Sequence, residues 1–335
     1  MTASIPTAVQ LYHFVDDLDN SLGFKPEIDL DCDNIILCGF GGSAVSGDFA
    51  SDCCFVESRK YIHLVKYPDL PNWVGQRSLV VVSSYSGNTA EALEIYRQAK
   101  ERGCRTIAMT SGGKLGEAAR SNGDYTVPLP EGMHPRHAIG YMIGYTLAVI
   151  RAAGGPDLEE RIRSIIPALR RYRDEVAFGE ECLAKDLAHN YIGKVPVICS
   201  DRSMQSVAFR WKTQINENSK FVAFCDSAPV FNVCSLIEWA NTHRDNCILT
   251  FLVGKDDEIC NGTSMMESAI RTLEGSDAIY RVIRLGGESA LENMFRAIIL
   301  GDYMSVYMAE ERGIDPAEVR PVMQMKEKLA KTRHD

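Results

Sequence analysis

The stretch Leu79-Val80-Val81-Val82-Ser83-Ser84-Tyr85-Ser86-Gly87-Asn88-Thr89-Ala90-Glu91 decides how the first half of this chain folds. Its apolar start reads as a buried parallel strand. From Ala90 to Arg102 the apolar positions Ala92, Leu93, Tyr96 and Ala99 read as a helix. A strand, a hydroxyl-rich turn and a helix start aim backbone N–H groups and side-chain hydroxyls at one point. That point suits an anion, most often a phosphate. No Walker lysine follows, so the turn is not a nucleotide P-loop. The same hydroxyls would serve in an ordinary βα turn as helix N-caps. Ser84, Ser86 and Thr89 together, with Gly87 for the turn and Glu91 in the first helical turn, favour the phosphate.

Around this stretch the first half alternates apolar runs with amphipathic ones. The predicted strands are Asn34–Cys38, Tyr61–Val65, Leu79–Ser83, Thr106–Thr110 and Tyr125–Leu129. Helical patterns start near Ala44, Thr89 and Leu115, and a longer one runs from Pro135 to Ala152. This is the rhythm of a doubly wound parallel α/β sheet. Gly154-Gly155-Pro156 marks the expected boundary, giving domains 1–154 and 155–335. Asp157 to Asn190 reads as helical. The α/β rhythm then resumes with strands Val195–Cys199, Phe221–Cys225, Cys247–Val253 and Ile279–Leu285. Helices are expected from Ser203, Phe231, Asn261 and Ala290, and a last one from Asp315-Pro316 to Lys331.

Composition narrows the function. At 335 residues the chain is long enough for two domains. A net charge of −9 argues against a nucleic-acid or anionic-membrane partner. The 11 cysteines include no C-x-x-C pair and lie mostly in apolar runs, as small buried hydrophobes in a reducing cytoplasm do. No signal peptide or membrane span is expected.

The first βα turn, Gly39-Phe40-Gly41-Gly42-Ser43-Ala44, also fits the dinucleotide fingerprint G-x-G-x-x-A. That reading needs an acidic residue at the end of the next strand, and Tyr61-Ile62-His63-Leu64-Val65-Lys66 has none. A sugar-contacting loop with Gly42 and Ser43 is the better reading.

Over nearly its whole length the chain resembles the bifunctional phosphoglucose/phosphomannose isomerase family, which has two tandem sugar isomerase (SIS) domains. The matching segments are Gly39-Phe40-Gly41-Gly42-Ser43 with Gly47-Asp48; Ser84-Tyr85-Ser86-Gly87-Asn88-Thr89; Pro135-Arg136; Arg210-Trp211-Lys212-Thr213-Gln214-Ile215-Asn216-Glu217-Asn218-Ser219-Lys220; and Arg312-Gly313-Ile314-Asp315-Pro316 ahead of Lys326. The resemblance implies two doubly wound SIS domains and a hexose 6-phosphate isomerase. It implies Ser43, Ser84, Ser86 and Thr89 around the phosphate and neighbouring sugar oxygens, and Glu217 as the base moving a proton between C1 and C2. Arg136 would lie beside the enediolate, and Lys326 would reach back to the substrate. It also implies a homodimer, no metal and no cofactor.

The chemistry wants the same residue types. Moving a carbonyl between C1 and C2 requires removing a weakly acidic C–H proton, which a positioned carboxylate can do if nearby charge stabilises the enediolate. A guanidinium suits that task because it keeps its proton. Considered singly, Glu217, Arg136 and Lys326 would each pass for a solvated or simply paired surface charge.

The chain departs from the family at Pro229-Val230-Phe231-Asn232-Val233-Cys234. Val233 stands where the family has a histidine thought to help open the sugar ring. Three readings follow. Another histidine substitutes, either His134 or His137 flanking Arg136 or His243 downstream, with His134 the most attractive; the enzyme takes open-chain substrate; or the chain is a catalytically weak or silent phosphosugar-binding protein, or acts on another phosphosugar.

Overall fold

The protein is described here by a computed structural model covering residues 7–27, 31–228, 238, 242–243, 245–254 and 262–318, with 262–265 described as backbone. Helices α1 (Thr7–Tyr12) and α2 (Phe14–Ser21) precede the first sheet. The sheet's strands are β1 (Asn34–Gly39), β2 (Tyr61–Val65), β3 (Ser78–Ser83), β4 (Arg105–Thr110) and β5 (Tyr125–Pro128). Between and after them lie α3 (Val45–Cys54), α4 (Ala90–Glu101), α5 (Gly113–Ser121) and α6 (Ile139–Ala152). All pairings are parallel, in the order β2-β1-β3-β4-β5.

The continuous apolar runs follow from burial on both faces. In β1 and β3, Ile35, Leu37, Leu79 and Val81 enter the larger core. Their neighbours Ile36, Cys38, Val80 and Val82 face the opposite way, against Ile95, Tyr96 and Leu115. Two strands touch β1, one on each side, so the chain reverses direction of winding at its carboxyl end. That is where open α/β sheets bind ligands.

Helices α7 (Glu159–Phe178) and α8 (Leu183–Tyr191) lead into a second sheet. It contains β6 (Val195–Ser200), β7 (Phe224–Ser227), β8 (Cys247–Val253) and β9 (Tyr280–Arg284), with α9 (Gln205–Asn218), α10 (Gly262–Leu273) and α11 (Ala290–Glu311). Its order is β7-β6-β8-β9, again parallel. The long helix α11 runs through the shared core. Phe295, Ile298 and Met304 sit with Phe49 of the first domain and Trp211 of the second. Gly301 is what lets Trp211 lie against α11, since a Cβ there would fall 2.2 Å from the indole nitrogen. That nitrogen donates to the Ala297 carbonyl at 2.7 Å.

Three expectations need correction. The helix expected from Pro135 begins at Ile139, because His137 and Ala138 donate to the His134 carbonyl and close a turn around Arg136. The helical run 157–190 is two helices, separated after Phe178 at Gly179. Strand β7 starts at Phe224, not Phe221: Phe221 still belongs to the exit from α9, where it donates to Ile215 and accepts from Asn216. Helices α1 and α2 were not anticipated. The expected helix at Phe231, most of the C-terminal helix, Val233 and Lys326 lie outside the described residues.

No helix among the described residues is long and apolar enough to cross a membrane. The described cysteines are all free, and most are buried.

Candidate active site

The loop after β3 carries the hydroxyls. Gly87 sits at φ +65°, a left-handed turn, and a Cβ there would strike the Gly112 carbonyl oxygen at 1.9 Å. Thr89 is the N-cap of α4, yet its side chain makes no capping bond. Instead the buried Ser84 hydroxyl donates to Thr89 Oγ1 at 3.1 Å. Ser86 is exposed and its Oγ accepts from the Asn88 amide. The α4 N-terminus thus has no side-chain cap, and the hydroxyls cluster beside it.

Two contacts tie this loop to the rest of the site. The Tyr85 amide donates to Ser43 Oγ at 3.3 Å, bringing the first βα turn onto the hydroxyl loop. The Tyr85 hydroxyl donates to the Pro130 carbonyl at 2.7 Å and accepts from the Met133 amide at 2.8 Å. Tyr85 thus clamps the segment that ends in His134-Pro135-Arg136. Gly42 seats the same segment from the other side, since a Cβ on it would lie 3.3 Å from Arg136 Cα.

Arg136 is the pivot. Its guanidinium donates from Nη1 to Glu217 Oε2 at 3.0 Å and from Nη2 to the Pro316 carbonyl at 2.6 Å. The two charges come from different domains, 81 residues apart in sequence. Arg136 is buried, which lowers its pKa, while the charge of Glu217 pulls it back up. Glu217 occupies the last turn of α9 and stays accessible. A pocket of about 140 Å³ opens onto Gly42, Lys66, Arg136, Thr213 and Glu217.

Sequence reasoning missed the residue that holds Arg136 from behind. Arg210, 1% exposed, donates to the Arg136 backbone carbonyl at 3.1 Å. It also makes a two-pronged pair with Asp302 of α11, at 2.9 Å and 2.6 Å. Burial pushes the Asp302 carboxyl up, against the opposing pull of Arg210. Such a pair organises its surroundings more than it stabilises them. Its only sequence signal was the place of Arg210 in the long matching segment. Lys220 was missed too. At φ +51° it folds its ammonium back onto the Glu217 carbonyl, and burial followed by Arg136 lowers its pKa.

The two histidines beside Arg136 behave alike. Burial, then Arg136, drives the His134 pKa down to about 4, and His137 shifts the same way. Both are neutral at pH 7. Neither nitrogen of the buried His137 ring has a hydrogen-bond partner among the described residues. Among the described residues no group of three or more His, Cys, Asp or Glu side chains forms a metal cluster.

The chain resembles known proteins over most of its length. Residues 30–154 match the SIS domain model, and residues 180–329 match the bacterial phospho-glucose isomerase C-terminal SIS domain. The bifunctional phosphoglucose/phosphomannose isomerase of Caldicellulosiruptor bescii is 34% identical over 325 residues, covering 90% of this chain and 91% of that one. The Aquifex aeolicus protein of the same name is 30% identical over 300 residues, covering 89% and 90%. The crystal structure of tagatose-6-phosphate ketose/aldose isomerase from Escherichia coli superposes with a TM-score of 0.68 over 93% of this chain and 95% of that one. At 14% identity this likeness speaks for the fold alone.

Proposed function

We propose, for a chain that belongs to the bifunctional phosphoglucose/phosphomannose isomerase family, that it is an aldose–ketose isomerase. It interconverts glucose 6-phosphate or mannose 6-phosphate with fructose 6-phosphate. The observation that carries this reading is the Arg136–Glu217 pair, an accessible carboxylate held against a buried guanidinium.

In the forward direction Ser84, Ser86, Thr89 and the α4 N-terminus hold the phosphate, and Ser43 and Gly42 lie along the sugar. Glu217 takes the proton from C2 of the open-chain aldose. The C2–H electron pair forms the C1–C2 double bond, and the carbonyl pair moves onto O1. Arg136, itself buried, stabilises that enediolate charge. After a proton moves from O2 to O1, the C2 carbonyl forms and the carboxylic acid of Glu217 returns its proton to C1. One base therefore serves both directions. Lys326, outside the described residues, is proposed to add a second cation near the substrate.

Val233 can move no proton, and His134, with a pKa of about 4, is a weak base at pH 7 and is not among the residues lining the pocket, so the open-chain sugar is the proposed substrate. The protein is proposed to work in the cytoplasm as a homodimer, with domains dividing at residue 154, and to need neither metal nor cofactor. Incubation with fructose 6-phosphate and separation of the products tests the reading: glucose or mannose 6-phosphate should accumulate. Saturable binding without either product would favour a phosphosugar-binding protein.

A further inference from the structure

A second cavity lies beside the catalytic pocket and takes no part in the proposed reaction. It is a cleft of about 470 Å³ between α3 and the carboxyl ends of β6 and β7. Lys66 and Phe209 line both cavities, so the two are neighbours. We infer that this cleft is a binding site for an uncharged polyhydroxylated ligand, a free hexose or a polyol.

The polar groups specify that class. Asp48 and Asp52 stand one turn apart on α3. Lys66 Nζ reaches Asp48 Oδ1 at 2.5 Å, and the Ser206 amide donates to Asp52 Oδ2 at 2.7 Å. Asp48 Oδ2 and Ser200 Oγ are buried with no hydrogen-bond partner among the described residues. Buried polar atoms left unpaired are costly, so a ligand that supplies donors here is favoured. Lys66 and Arg202, set among these carboxylates, want acceptors. A hydroxyl is both donor and acceptor and can answer both kinds of group. The lining carries the carboxylates Asp48, Asp52 and Asp226 against the cations Lys66 and Arg202, so an anionic ligand gains no net attraction there. The site is therefore complementary to a sugar without its phosphate.

Apolar faces complete it. The Arg202 guanidinium lies 3.9 Å over the Phe55 ring, and Lys66 Nζ lies 4.9 Å from the Phe209 ring centre. Rigid planar groups flanking a few polar contacts are what small-ligand sites use to fix orientation. The cleft also sits outside the carboxyl ends of parallel strands, the end where α/β sheets bind ligands.

The test uses methyl α-glucoside, which cannot open its ring or be turned over. The proposal therefore stands or falls independently of the isomerase reading. Ligand-observed NMR on the full chain should show saturable binding at about millimolar affinity. Asp52→Asn and Arg202→Ala should each weaken it by about tenfold or more. Ser86→Ala combined with Thr89→Val should leave it unchanged. Asp52→Asn keeps an oxygen for the Ser206 amide, and an unchanged melting profile would show that the variant folds. Absence of saturable binding up to about 100 mM would overturn the proposal. So would binding lost in the Ser86/Thr89 variant but kept in the two cleft variants, which would place the sugar in the catalytic pocket.

Discussion

Arg136 and Glu217 meet at 3.0 Å with opposite exposure: the arginine side chain is 2% exposed and the glutamate 43%. The cation is fixed and desolvated, and the carboxylate is reachable. In the proposed mechanism the fixed charge would meet the enediolate without reorganising, and the base would swing to the substrate.

Glu217→Gln should therefore lower kcat by about 10²–10⁴-fold while leaving phosphosugar affinity within a small factor. Steady-state kinetics beside calorimetric binding of fructose 6-phosphate separates the two effects. Near-normal turnover would remove Glu217 from the role of base.

The hydroxyl loop predicts the complementary result. Ser86→Ala with Thr89→Val removes two hydroxyls beside the α4 N-terminus, each hydrogen bond to a charged group contributing about 1.5–3 kcal/mol. KM should rise by about tenfold or more, with a smaller change in kcat. An unchanged KM would mean that the phosphate sits elsewhere.

Arg210 and Asp302 offer a test of positioning. Asp302→Ala leaves a buried guanidinium unpaired and should cost about 3–5 kcal/mol of stability. The double variant Arg210→Met with Asp302→Leu should recover most of that stability but not the activity, because the Arg136 carbonyl loses its donor. A kcat lower by about tenfold in the stable double variant would separate positioning from folding. Full activity in that variant would make Arg210 purely structural.

His134 ties stability to pH. Its folded pKa is about 4, below the 6.5 of an unshifted histidine. Between those values the unfolded chain binds the extra proton, so stability falls as pH drops from 6.5 to 4. His137 acts in the same direction. Melting midpoints of the wild type and His134→Gln, compared across that window, should converge towards low pH. Parallel curves would mean that His134 is not held neutral.

Much of this was legible in the sequence. Val80, Val81 and Val82 announced a doubly buried strand because both faces of the sheet are covered. The Ser84–Thr89 run announced its own turn because Gly87 must take a left-handed conformation that other side chains resist. Relationships across the chain were not legible. Nothing local tells that Arg210 will find Asp302, 92 residues away, or that the Pro316 carbonyl will return to Arg136. Local propensity also misplaced β7. The apolar run at Phe221-Val222-Ala223 looks like a strand start, but Asn216 and Ile215 hold Phe221 to the end of α9. Likewise Pro135 invites a helix start, while the Arg136 turn delays it to Ile139.

In the proposed mechanism Glu217, set against Arg136, moves a proton between C1 and C2. Proton NMR of fructose 6-phosphate with the protein in deuterated water reads that transfer itself. Glucose or mannose 6-phosphate should appear, with deuterium entering C1 of the ketose or C2 of the aldose, and Glu217→Gln should give no such signal. Unlabelled, unconverted ketose under saturating substrate would contradict that mechanism.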